Sequence, residues 1–275
     1  MSNNHGGYRM FYINRFLISL ILIIGMLFPC SGIANDSINI PILCYHNFNP
    51  VIPGSMTLNP GKFEAQLKWL KSNGFTVIPL KQAVEYLQGN RTTLPAKSVV
   101  ITADDGWQSV YKYMVPLAKK YNIPVTLFIY PQTISQGKNA MTWDELRELQ
   151  NTGLFDVQGH TYSHPNFKQE RRRLSAANYQ KFVSGELVRS KKILEEKMGK
   201  TITLLAWPFG IYDAYLENEA AKAGYLMAFS IDYHVANRNY KPMSQPRFMI
   251  IEAESMKTFT SIVNGANIKS HANNK

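Results

Sequence analysis

Short apolar runs recur along the chain between residues 40 and 251: "IPILCYH" (40–46), "FTVIPL" (75–80), "SVVITAD" (98–104), "IPVTLFIY" (123–130), "FDVQGHT" (155–161), "ITLLAWP" (202–208), "YLMAFSI" (225–231) and "RFMII" (247–251). Several are continuous rather than alternating, which is the pattern of strands buried on both faces. Stretches with helical spacing lie between them. In "NPGKFEAQLKWLKSNG", Phe63, Leu67 and Leu70 share a face, and Asn73-Gly74 predicts the stop. "TWDELRELQNTG" opens on Thr142 and Glu145 at capping-box spacing and ends at Gly153. "YDAYLENEAAKAG" offers Asp213 as N-cap and Gly224 as C-terminal stop. Alternating strands and helices predict an α/β fold with a parallel sheet, and a sheet of seven or eight strands closes most naturally as a barrel. Chemistry in such barrels sits at the C-terminal ends of the strands.

The first 34 residues have a different pattern. Arg9 and Arg15 precede an apolar run from Phe16 to Phe28, and small residues follow at Gly32 and Ala34. A basic region, an apolar region and a small-x-small site in that order form a secretory signal. The run is short of the ~20 apolar residues that span a bilayer. The expected organisation is therefore 1–34 as signal peptide or N-terminal membrane anchor, 35–265 as the folded domain and 266–275 as a polar tail. Export to the periplasm or cell surface is expected with it, together with association with the membrane or an export machinery.

Charge and cysteine content refine this. Without residues 1–34 the chain keeps 28 Lys and Arg against 19 Asp and Glu, a net charge of +9. A basic exported chain tends toward anionic envelope polymers. The charges are scattered: the tightest run, Arg171-Arg172-Arg173, reads as a solvated loop or helix face, and no basic stripe with interleaved aromatics points to nucleic acid. Cys44 is then the one remaining cysteine, so no internal disulfide forms, and it reads as a small core residue. A monomer is expected.

The candidate chemistry is concentrated in two places. "ITADDG" sets Asp104 and Asp105 side by side at the end of a β-branched run. Asp-Asp-Gly is good turn chemistry, and that reading stands beside a functional one. "HTYSH" places His160 and His164 at i and i+4, a spacing from which two imidazoles can meet one metal. Two histidines and one carboxylate leave positions open for water and substrate, and a metal charge lessens the cost of two adjacent acids.

"ITADDG", "HTYSH" and "AWPFG", in that order, resemble the motifs of the polysaccharide deacetylases, carbohydrate esterase family 4. The first motif has Ala103 where Thr-Phe-Asp-Asp-Gly has Phe; the third reads Ala206-Trp207-Pro208-Phe209 where Arg-x-Pro-Tyr is usual, so its arginine is missing at Leu205. "PILCYHNF" resembles the opening strand of the exported branch that acts on poly-β-1,6-N-acetyl-D-glucosamine in biofilms. There the acid histidine precedes the Asp-Asp motif, and His46 matches it. His234, in "IDYHVAN", is the competing acid.

The resemblance implies a distorted (β/α)7-type barrel and metal-dependent removal of N-acetyl groups. It implies Asp105, His160 and His164 as ligands of one divalent ion, zinc or else cobalt, nickel or iron. It further implies Asp104 as general base, His46 as general acid and the Phe209 backbone N–H as oxyanion donor. Arg247 is offered in place of the missing motif arginine and, with Tyr45, Trp107 and Trp207, as a candidate for substrate binding; Trp143 reads as cap or core packing. Deacetylation of peptidoglycan or another envelope glycan, and a non-catalytic glycan-binding protein on the same scaffold, are the alternatives.

Overall fold

The computed structural model describes residues 38–265. The expected signal segment 1–34 and polar tail 266–275 lie outside the described residues. Among the described residues seven parallel strands carry the fold: β1 (Ile42–Tyr45), β2 (Ser98–Asp104), β3 (Val125–Ile129), β4 (Phe155–Gly159), β5 (Leu204–Ala206), β6 (Met227–Phe229) and β7 (Phe248–Met249). Their order around the sheet is β7-β1-β2-β3-β4-β5-β6, with every neighbouring pair parallel. A single parallel bridge from Phe229 to Gln245 links the two ends of this curled sheet. This is the expected distorted (β/α)7-type barrel. Every residue of β2 is buried, as its uninterrupted apolar run requires.

Among the described residues eight α-helices surround the sheet: α1 (Pro60–Ser72), α2 (Leu80–Leu87), α3 (Val115–Tyr121), α4 (Trp143–Asn151), α5 (Phe167–Arg173), α6 (Ala176–Met198), α7 (Ala214–Lys222) and α8 (Met256–Val263). Local sequence sets several of their ends. Asn59 caps α1 through Gly61 N–H, Thr142 and Glu145 form a reciprocal capping box on α4, and Asp213 caps α7 through Leu216 N–H. The Arg171–Arg173 run forms the exposed last turn of α5.

Two elements differ from the hydropathy reading. In the run 75–80 only Thr76 and Val77 pair, against Ser98 and Val99. Pro79 has no N–H to continue the ladder and sits at the N-cap of α2 instead. Between β4 and β5 runs the longest helix, α6, whose buried face includes Glu186 and Ser190. Polar residues on that face blur the apolar stripe by which a helix is recognised. Among the described residues no helix is long and apolar enough to cross a membrane.

Candidate active site

β2 ends at Asp104, and the chain turns sharply there. Asp105 and Gly106 both take left-handed backbone (φ 76° and 78°). A Cβ on Gly106 would lie 2.8 Å from Ile134 Cδ1, so the turn needs glycine for space as well as conformation. The Asp105 N–H donates to the Phe128 carbonyl at 3.0 Å, which pins the turn to β3. Asp-Asp-Gly is thus a turn, and it gives its two acids different partners.

His160 follows β4 directly, and its N–H donates to the Ile129 carbonyl at 2.9 Å. Its Nδ1 donates to the Ala206 carbonyl at 2.8 Å. A carbonyl only accepts, so the proton is on Nδ1 and Nε2 is the free ligand atom. Nε2 of His160 and Nε2 of His164 lie 3.4 and 3.5 Å from Asp105 Oδ1. That oxygen is buried and has no hydrogen-bond partner. Trp107 Nε1 donates to the other oxygen, Oδ2, at 3.0 Å and so turns Oδ1 toward the histidines. One ligand atom from each of Asp105, His160 and His164 lies within 4.8 Å of the others. Two imidazoles and an orphaned carboxylate oxygen in this arrangement suit a divalent transition metal.

Asp104 belongs to a second, adjoining cluster. Arg247 grips it with Nη1 on Oδ1 at 2.9 Å and Nη2 on Oδ2 at 2.7 Å. Arg247 is itself held by Thr102 Oγ1 and the Ser230 carbonyl. The Cys44 thiol donates to Asp104 Oδ2 at 3.3 Å and lies 3.9 Å from His46 Nδ1. Cys44, His46 and Asp104 place ligand-type atoms within 4.8 Å of one another. Asp104 Oδ2 is 3.9 Å from His160 Nε2, so the two clusters adjoin.

Electrostatics separates the roles. Burial opposes ionised Asp104, but the Arg247 guanidinium, with His160, outweighs it and holds the carboxyl below its ordinary range. Burial also opposes ionised Asp105; contact with His160 is the largest of the effects that hold it low. Burial and repulsion from His160 push His164 down to about 4, which leaves its ring neutral at physiological pH. Burial lowers His46, against the pull of Asp105 and Asp104.

A family model described as polysaccharide deacetylase matches residues 91–228. The chain belongs to that family. This deacetylase is a hydrolase acting on N-acetyl amide bonds of a polysaccharide. It is 28% identical over 199 residues to a poly-β-1,6-N-acetyl-D-glucosamine N-deacetylase of Staphylococcus aureus, a match covering 70% of this chain and 68% of the relative. Its fold is similar to that of the deacetylase PplD of Streptococcus pyogenes, solved with acetate (TM-score 0.73, 25% identity, 82% of this chain and 99% of that one). It is also similar in fold to IcaB from Ammonifex degensii (TM-score 0.72, 24% identity, 82% and 97%). His46 and Arg247 lie outside the family-matched segment, yet the barrel brings both to Asp104.

The remaining expected residues are distributed unevenly in the deacetylase. Phe209 is exposed and left-handed (φ 56°), in the turn after β5, with its ring 4.7 Å from that of His164. The two hydrogen bonds of that turn come from Gly210 and Ile211, not from the Phe209 N–H. Trp107 borders a cavity of about 230 Å³ that opens beside Asp105 and is also lined by Tyr130, Thr133 and Asn139. A larger cavity of about 550 Å³, lined by Lys81, Asp156 and Lys200, includes none of the expected site residues.

Three expectations are corrected. Tyr45 is fully buried against Phe48 and Phe63 with its hydroxyl on Gln66, so it presents no ring face to a sugar. Trp207 is likewise buried, its Nε1 donating to the Met243 carbonyl. Arg247 is fully buried and bound to Asp104, so it is the partner of that carboxylate and not a substrate contact. His234 is exposed and faces Tyr240, apart from both clusters. Cys44 is core, as expected, but it also touches Asp104. Its place two residues before His46, at the end of β1, was the available signal. Trp143 is partly buried against the core at the start of α4.

Proposed function

We propose that this deacetylase removes N-acetyl groups from N-acetylglucosamine residues of an exported polysaccharide, poly-β-1,6-N-acetyl-D-glucosamine, using one divalent metal ion. The observation that supports the assignment most strongly is the place of His46. It comes from the first strand, ahead of the Asp-Asp motif, and lies beside Asp104 with Cys44. The staphylococcal relative named for that polymer supports the same substrate.

In this reading Asp105, His160 and His164 hold the metal. Such an ion supplies a Lewis acid for the acetyl carbonyl and acidifies water. Asp104, kept ionised by Arg247, takes the proton of the attacking water. It retains an unused lone pair because Arg247 and Cys44 occupy three of its roughly four acceptor positions. The Phe209 N–H stabilises the negative charge that develops on the carbonyl oxygen. His46, in its protonated form, which burial opposes and the two carboxylates support, gives a proton to the departing sugar nitrogen, which leaves poorly without one. Trp107, at the edge of the cleft, offers a ring for sugar stacking.

Acetate release from β-1,6-linked N-acetylglucosamine oligomers, with and without a chelator, tests the proposal. Chelator-sensitive release that exceeds release from β-1,4 oligomers is expected. A preference for β-1,4 oligomers would move the substrate to an envelope glycan such as peptidoglycan. Binding of oligomers without any release would overturn the catalytic assignment.

A further inference from the structure

The loop that carries both histidines is tied on one side by the Gln132 N–H, which donates to the Tyr162 carbonyl at 3.1 Å. It is neither helix nor strand from His160 to Pro165. Thr161 and His164 both take left-handed backbone (φ 61° and 57°), which non-glycine residues keep only when their surroundings impose it. The His160 ring is anchored on the Ala206 carbonyl, but the His164 ring makes no hydrogen bond among the described residues. The rings of Tyr130, His160 and Phe209 pack around it, and the backbone beneath it sets where it enters that group.

That backbone is gripped from α6. Glu186, buried in the face that α6 turns to the core, accepts from the N–H of Tyr162 at 3.0 Å and of Ser163 at 2.8 Å through Oε2. Its Oε1 accepts from Ser163 Oγ at 2.7 Å. Almost one turn along the helix, the Arg189 guanidinium lies 3.7 Å from the centre of the Tyr162 ring. Tyr162 and Ser163 are two of the three residues between the histidines. Burying a carboxylate is costly unless its oxygens are paired, and here both are paired with this one loop.

We propose that Glu186 is a positioning residue for the metal site. Through Tyr162 and Ser163 it holds His164 at the distance from His160 and Asp105 at which three ligand atoms converge, and so it sets metal affinity without touching the ion. This rests on the metal-binding reading above.

The test is Zn²⁺ affinity of the full chain, measured by competition with a chromophoric chelator. Amide exchange at Tyr162 and Ser163 and thermal unfolding are measured alongside on the metal-free protein. Glu186→Ala is expected to weaken Zn²⁺ binding ~10- to 100-fold, the usual effect of losing a group that orients a ligand, and to speed exchange at both amides. Glu186→Gln should restore most of the affinity, because its amide oxygen still accepts both N–H groups and its NH₂ can reach Ser163 Oγ. Glu186→Ala with wild-type Zn²⁺ affinity would overturn the proposal. If the alanine variant does not fold, Glu186→Asp and Glu186→Gln decide. The hydrogen-bond role predicts loss with Asp, which falls short of the loop, and retention with Gln; the reverse order would overturn it. A wild-type chain that binds no Zn²⁺, or a His164→Ala variant that binds it equally well, would instead defeat the metal reading. Exchange at Tyr162 and Ser163 would still report whether Glu186 holds the loop.

Discussion

Arg247 and Asp104 stand 143 residues apart in the chain and are joined by two hydrogen bonds, at 2.9 and 2.7 Å, in a site where both side chains are buried. Removing the guanidinium leaves a buried carboxylate uncompensated. Arg247→Met is therefore expected to cost on the order of 3–5 kcal/mol in urea unfolding. Arg247→Lys keeps a charge but loses the two-pronged grip. Arg247 holds Asp104 low, so the stabilisation is present above the ordinary carboxylate range and is lost as pH falls through the lowered value. Weakening the pair lets burial raise Asp104, and the acid limb of the activity profile should move to higher pH in Arg247→Lys. An acid limb at unchanged pH would contradict Asp104 as the base.

The metal assignment is tested by removal and return. Chelation should abolish acetate release, and Zn²⁺ or Co²⁺ added back should restore it. His164→Ala should not recover under the same addition while its unfolding midpoint stays near that of the wild type, since His164 lies in a partly exposed loop. Full activity of the wild type in excess chelator would refute the site.

The acid assignment separates two histidines. His46→Ala is expected to lose ~10²–10⁴-fold in kcat, the usual range for a general acid, while binding Zn²⁺ as tightly as the wild type. His234→Ala, at an exposed position beside Tyr240, should be nearly silent. The opposite pattern would show that the acid comes from the C-terminal half.

Glu254 gives a stability test away from the chemistry. It is buried, its Oε2 has no hydrogen-bond partner, and burial pushes its carboxyl up to about 7 from 4.5, against the pull of Lys62. A carboxyl raised in the folded state stabilises fully below its unfolded value, and that stabilisation is lost as pH rises through the folded value. Unfolding free energy should therefore fall between about pH 4.5 and pH 7 by up to a few kcal/mol. Glu254→Gln should flatten that part of the curve. A wild-type curve without a fall in this window would show that Glu254 is ionised throughout.

What the sequence determined is what short-range physics controls. Continuous apolar runs marked the seven barrel strands, capping residues marked the starts of α4 and α7, and Asn73-Gly74 marked the end of α1, because periodicity and caps act within a few residues. Strand-end position likewise made Asp104, Asp105, His160 and His164 candidates, and the structure brings them together. The buried face of α6 was not legible, since Glu186 and Ser190 interrupt its apolar stripe. Tertiary structure alone decided the rest. The order β7-β1-β2 leaves only β1 between Arg247 and Asp104 and gives that carboxylate its partner. Packing of α1 and of the loop near Met243 buried Tyr45 and Trp207, so aromatic residues that suited a sugar became core. These outcomes depend on which strands become neighbours and on what covers each ring. Such contacts between distant segments leave no mark in any local stretch of sequence, whereas the chemistry at a strand end does.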